Sequence, residues 1–330
     1  MTFAFVDKIL SITSGKNSQG IKHVAAHERY LNLDASSKPY FITSLIGEAL
    51  GQLTAWNVMQ ANNFTYRPVA GLVSLAQLYR PAYVGESIFL ESTIKSLDNY
   101  AVHYNGIARV EQEIIFTLNG AVGPLLPMAE FIDEQDVRSQ FNNLILADAL
   151  GSSPSSCLPT QGLTNDSNHD MLTVGSSTQV VSAWLGAGEA QPSSILVERV
   201  AANLFECDHI VAVVPDLSIT AEKYISPQAE YFIGHFPNKP VLPLSVLLEC
   251  KIRLAHILLA QSNFCGLYQL SELRKIKIRS FVHPADNLTC SLTIKKQHEN
   301  ELILVCRSEV GGKCICIVEI VMIKIGARLF

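Results

Sequence analysis

Charge is scarce in this 330-residue sequence: Asp, Glu, Lys and Arg make up 17% of it, while hydrophobic residues reach 48%. An ordinary soluble domain carries roughly 25% charged residues, so the composition calls for a well-filled core. There is no basic excess either. A formal net charge of -5 lacks the footprint of a nucleic-acid binder. No C-x-x-C pair and no His/Cys cluster with zinc spacing occurs, so no metal is expected. No apolar stretch reaches the length of a membrane span, because Glu249, Lys251, Glu319 and Lys324 interrupt the longest ones. The opening MTFAFVDKILSITSGKNS has Asp7 early and lacks the basic-then-apolar order of a signal peptide. Of eight cysteines, seven lie after residue 200, with Cys314 and Cys316 on one face of a strand-like run. Reduced, buried thiols in a cytoplasmic protein are expected.

The length suits about two domains. Between about Leu150 and Ser194 the chain turns rich in Ser, Gly, Thr, Asn and Pro and loses apolar periodicity, as linkers do. A short helix is expected just before it, over Glu134–Leu146, with Val137, Phe141, Leu144 and Ile145 at helical spacing. The flanking halves resemble each other. One opens with FAFVDKIL at Phe3–Leu10, the other with ILVERVAANL at Ile195–Leu204. Each continues into a Pro-led apolar helix, Pro39 through Trp56 and Pro243 through Ala260, and ends in several β-rich segments. The repeat implies duplication, with the copies packed together and an α+β layout in each. The expected boundaries are 1–128, then 129–193 for helix and linker, then 194–330.

The sharpest motif is YFIGHFPNKPVLPLSVLLE at Tyr231–Glu249. It resembles the FabZ/FabA-type 3-hydroxyacyl-[acyl-carrier-protein] dehydratases, which show G-H-F-P, then spaced prolines, then an acid fourteen positions after the His. Here Pro237, Pro240 and Pro243 fall in place, and fourteen positions after His235 stands Glu249. The resemblance covers both halves without the linker and implies a double hot-dog, two curved antiparallel sheets each wrapped around a central helix. It also implies an active site between the units, the His from one and the acid from the other. The first half carries Glu48-Ala49-Leu50-Gly51-Gln52, similar to the family's E-A-x-x-Q helix, but Asp34 stands where its His would be. The second half keeps the His loop, and Arg253 stands where Gln52 does. One composite site, His235 with Glu48, is therefore expected. Asp34 and Glu249 would face each other in a vestigial second one.

Loss of water from a 3-hydroxyacyl thioester needs a base for the α-proton, stabilisation of an enolate-like oxygen and an acid for the departing hydroxide. The resemblance assigns the base to His235 and the acid to Glu48. Gln52, one helical turn beyond Glu48, can orient it. The resemblance gives the oxygen donor as the amide of Leu244, at the start of a helix whose first N–H groups are unpartnered. Gly234 and Phe236 complete the expected substrate contacts. Leu244 departs from the family's Gly and adds bulk beside the substrate. The implied partner is an acyl-carrier protein bearing a 3-hydroxyacyl phosphopantetheine, with no cofactor. The fused pair can stand as a monomer with a pseudo-dimeric core or assemble further.

Rival readings remain beside this one. A carboxyl on a helix or a His on a loop is commonly structural, but Glu48 lies in an apolar run where an unpaired carboxylate is costly. A hot-dog thioesterase would not need the G-H-F-P loop, and a MaoC-type hydratase wants Asp and His close together on one loop. A non-catalytic acyl-thioester-binding pseudoenzyme fits Leu244 and the lost first-half His. Glu249 and His256 share a helix face and suggest a metal pair only by spacing. In the run Arg274–Arg279, Lys275, Lys277 and Arg279 alternate onto one strand face, either simply solvated or docking an acidic carrier.

Overall fold

The computed structural model describes residues 3–34, 36–146, 203–233, 235–264 and 268–325. The linker, most of the ILVERVAANL segment and Gly234 lie outside the described residues.

The first half runs β1 (Lys8–Thr13), β2 (Asn17–His23), β3 (Leu31–Leu33), β4 (Pro39–Phe41), α1 (Thr43–Ala61), β5 (Tyr66–Pro68), β6 (Leu72–Leu78), β7 (Ala82–Tyr83), β8 (Ser87–Leu97), β9 (Ala101–Val110), β10 (Glu113–Pro127) and α2 (Glu134–Leu146). The second runs β11 (His209–Val214), β12 (Ser218–Tyr224), α3 (Leu244–Ala260), β13 (Tyr268–Ile278), β14 (Asn287–Gln297), β15 (Glu301–Val310) and β16 (Lys313–Lys324).

The α+β layout with antiparallel pairing is present in both halves. Both long helices are apolar nearly all round, which suits a helix enclosed on every side. Leu45, Ile46, Leu50 and Leu53 of α1 and Val246, Leu254, Ala255 and Leu258 of α3 are almost wholly buried. α1 packs on β2, β8 and β9, and α3 on β12 and β14. The two helices also touch each other. Alternation along β8 and β14 turns one face of each strand inward, as a half-buried strand requires.

Strand order makes the duplication visible. The first half reads β1-β2-β8-β9-β10-β6, and the second, taken from its far edge, reads β11-β12-β14-β15-β16-β13. These are the same order. The two sheets expected from sequence are continuous, since β6 pairs antiparallel with β13 between Gln77 and Glu272 at one end and Leu72 and Lys277 at the other. Without that pairing both strands would be open edges with unsatisfied N–H and C=O groups. The expected duplicated helix–sheet layers therefore meet at a shared seam, with α1 and α3 side by side.

α2 forms over Glu134–Leu146 and seats Phe141 against Phe64, ring centres 5.3 Å apart, and against Trp56 at 5.9 Å. Val137 and Phe141 are buried, but Ile145 is 43% exposed and lies off the packed face. Among the described cysteines all are free, and Cys250, Cys290, Cys306 and Cys316 are buried. No helix among the described residues is long and apolar enough to cross a membrane.

Candidate active site

Glu48 sits one turn into α1, deep in the protein but with part of its surface turned to an internal cavity. Both carboxyl oxygens are engaged. Gln52 Nε2 donates to Oε1 at 3.1 Å, and Ser245 Oγ donates to Oε2 at 2.9 Å. Gln52 is itself held by the first-half opening segment: it donates to the Phe3 carbonyl at 3.1 Å and accepts from the Phe5 N–H at 2.8 Å. Burial pushes the Glu48 carboxyl above the usual carboxylate range, while Gln52, Ser245 and the nearby Arg67 cation pull it back.

His235 follows a short 3-10 turn (Glu230–Phe232) and enters the wall of the same cavity. Its ring stacks on Phe236 with centres 4.1 Å apart, and Phe3 meets it edge-on at 5.6 Å. The ring is hydrogen-bonded to the Val241 main chain, while Nδ1 is enclosed without a partner. Burial, and then the Arg67 charge, lower its pKa to about 3, which keeps the imidazole neutral. Phe236, next in the chain, has φ 57°, a left-handed conformation that costs a bulky residue energy. Tight packing holds it there: its ring meets Phe131 at 4.8 Å and carries the Arg67 guanidinium at 4.0 Å.

The cavity has a volume of about 470 Å³ and is mainly apolar, with α2 contributing Val137, Gln140 and Leu144. Leu244 and Ser245, the first residues of α3, also line it. As the first helical residue, Leu244 has an N–H without an intrahelical acceptor. Of the residues expected at the site, His235, Glu48, Gln52, Leu244 and Phe236 thus share one cavity.

The mirror-image position differs. Ser44 Oγ donates to Glu249 Oε2 at 3.0 Å, repeating the Ser245–Glu48 contact with the halves exchanged. Arg253 then approaches Glu249 at 3.5 Å and pairs with Glu206 at 2.7 Å. Glu249 is only 5% exposed and does not reach the cavity. Asp34 shares no hydrogen bond with Glu249, and both carboxyls act on Tyr40. The Asp34 carboxylate accepts from the backbone N–H groups of Ser36 and Lys38 in its own loop and from Tyr83 Oη on β7. His256 is exposed while Glu249 is buried, so those two do not converge, and among the described residues no metal-ligand cluster occurs.

Three site-forming residues escaped sequence reasoning. Ser44 and Ser245 occupy equivalent positions, four before each acid, and comparison of the repeats could have found them. Arg67 sits on a three-residue strand in the stretch NNFTYRP, which reads as a turn, and nothing there points to a cation inside a cavity. In the basic run, Lys275 holds Glu319 at 3.1 Å, shared with Lys295 of β14 at 2.6 Å, and Arg274 pairs with Glu272. Lys275 and Lys277 remain on the exposed face of β13.

Residues 213–316 match the family model of ApeI-like dehydratases. The chain is 32% identical over 122 residues to the 3-hydroxyacyl-[acyl-carrier-protein] dehydratase FabZ of Levilactobacillus brevis, an alignment covering 36% of this chain and 82% of that protein. The FabZ of Lactiplantibacillus plantarum is 31% identical over 118 residues, covering 35% and 80%. Among solved structures, one described as an oleoyl thioesterase from Lactobacillus plantarum superposes with a TM-score of 0.52 at 9% identity, covering 94% of this chain and 99% of that one. The TesB protein of Mycobacterium avium subs paratuberculosis gives 0.51 at 9% identity, covering 97% and 96%. At such identity these two structures speak for the fold alone.

Proposed function

The chain belongs to the FabZ family of 3-hydroxyacyl-[acyl-carrier-protein] dehydratases, and on that premise we propose that it removes water from a 3-hydroxyacyl thioester at one composite site. The thioester is carried on the phosphopantetheine of an acyl-carrier protein. The chain is read as a double hot-dog whose units span 1–128 and 194–330, joined by helix and linker over 129–193.

In this reading His235 takes the proton α to the thioester carbonyl. Electrons from that C–H bond form the C=C bond, and the C–O bond at the 3-position breaks. Protonated Glu48 gives its proton to the departing hydroxide, which leaves as water. Burial favours both required forms, a neutral imidazole and a neutral carboxyl. The Leu244 N–H donates to the thioester oxygen as charge builds there. Gln52 and Ser245 hold Glu48 in one orientation. Gly234 and Phe236, flanking His235 in the sequence, are read as substrate contacts.

One observation carries the proposal: Glu48 and His235, from opposite halves, wall the same cavity, whereas Glu249 does not reach it. The test is turnover of a 3-hydroxyacyl-carrier substrate, followed at the enoyl product. His235→Ala and Glu48→Gln should each lower kcat by about 10²–10⁴-fold, while Glu249→Gln stays active. A wild type that binds acylated carrier without turning it over would instead be an acyl-thioester-binding protein.

A further inference from the structure

The cavity contains a cation that the reaction above leaves idle. Arg67, on β5, lines it together with Glu48 and His235. Its guanidinium lies over two rings, 4.0 Å from the centre of Phe236 and 5.6 Å from that of Phe131. Its Nε is enclosed and has no hydrogen-bond partner. Glu48 is the carboxylate whose charge it feels, yet both oxygens of Glu48 are already taken by Gln52 and Ser245. The aromatic faces hold the guanidinium in place but accept none of its N–H groups in its own plane. Even with burial lowering its pKa to about 10, Arg67 stays charged at neutral pH.

A buried donor without an acceptor is costly, and a cavity meant for substrate is where an acceptor can arrive. The substrate class proposed above brings two oxygens to this cavity, the thioester carbonyl and the 3-hydroxyl. We propose that Arg67 is a substrate-contacting residue whose guanidinium donates to one of these oxygens. This rests on the dehydration reading and adds a side-chain donor to the single N–H of Leu244. It also gives the stack of His235, Phe236 and Arg67 a purpose. The strained Phe236 backbone brings one ring against both groups, 4.1 Å from the centre of the imidazole and 4.0 Å from the guanidinium.

A cycle of residue and ligand deletions tests this, using three pantetheine probes: a 3-hydroxyacyl amide with both oxygens, an acyl amide with the carbonyl alone, and a 3-hydroxyalkyl thioether with the hydroxyl alone. Dissociation constants are measured for wild type and Arg67→Met. Wild type should lose about 10–100-fold in affinity when the contacted oxygen is removed, and Arg67→Met less than about 2-fold for the same removal. Such coupling at either oxygen supports the contact and names the atom. Additive losses at both oxygens overturn it and leave Arg67 as a peg between two aromatic rings. Should Arg67→Met not fold, the same cycle on Arg67→Lys, which keeps the charge but not the fork, must still show the coupling reduced several-fold. If wild type turns over substrate and the cycle is additive, only this inference fails. If wild type neither binds the probes nor turns over a 3-hydroxyacyl thioester, the dehydration reading fails with it.

Discussion

Ser245 of the second half donates its hydroxyl to Glu48 of the first at 2.9 Å, and the contact is repeated in reverse, Ser44 to Glu249, at 3.0 Å. The duplicated helices thus exchange one hydrogen bond each across the seam. What distinguishes the two acids is the residue one turn further along. Neutral Gln52 leaves Glu48 facing the cavity without a counter-ion at hydrogen-bond distance, whereas Glu249 has the Arg253 cation at 3.5 Å.

Ser245→Ala should move the pH dependence of activity. Ser245 is one of the groups pulling the Glu48 pKa down, so its loss leaves the carboxyl protonated to a higher pH. If Glu48 acts in its protonated form, the alkaline limb of kcat/KM shifts upward. The rate itself should fall by about 5-fold as the carboxyl loses a fixed orientation, in line with ~1 kcal/mol for one hydrogen bond. A pH–rate profile of the variant beside wild type measures both.

Stability should decline on mild acidification through His235. Its folded pKa of about 3 lies below the ordinary 6.5, so between these values the unfolded chain binds the proton and the folded one does not. Stability is therefore lost as pH falls below 6.5. From pH 6.5 to 5 this amounts to ~2 kcal/mol. In denaturant melts, the fall in unfolding free energy between the two pH values should be larger in wild type than in His235→Phe by about that amount.

Glu249→Gln should leave kcat/KM within about 3-fold of wild type, because this acid is sealed from the cavity. Arg253→Met should act on stability instead. It strips a buried carboxyl of its cation, and a loss of ~1–3 kcal/mol is expected in urea unfolding.

At Phe236 the backbone sits at φ 57°, where glycine is at ease and alanine is not. Phe236→Gly should therefore be more stable than Phe236→Ala by ~1 kcal/mol, although both lose the same ring. Both should also lose activity, since the ring that packs against both His235 and Arg67 is gone. Thermal unfolding and turnover of the pair separate the two effects.

Charge reversal at Lys277 tests whether the exposed face of β13 meets the carrier. If it does, KM rises for a carrier-borne substrate and not for a pantetheine-borne one, and the difference shrinks with added salt. Lys275→Glu has a second effect, placing like charge beside Glu319.

The sequence by itself determined the duplication, the two apolar helices, the antiparallel strands and the G-H-F-P loop. These are written in local periodicity and fixed spacings, which survive without knowledge of contacts. It also singled out Glu48 by its E-A-x-x-Q helix, Glu249 by counting fourteen on from His235, and Asp34 by counting fourteen back from Glu48. Tertiary structure decided the rest. That β6 and β13 join the halves into one sheet depends on edge strands finding each other, which no local pattern encodes. That Asp34 folds onto its own loop depends on nearby N–H groups competing for its carboxylate. Arg67 shows the limit most clearly. On a short strand before a proline it looks like a solvated turn residue, and only the approach of Phe131 and Phe236 from distant parts of the chain turns it into an enclosed cation beside Glu48 and His235.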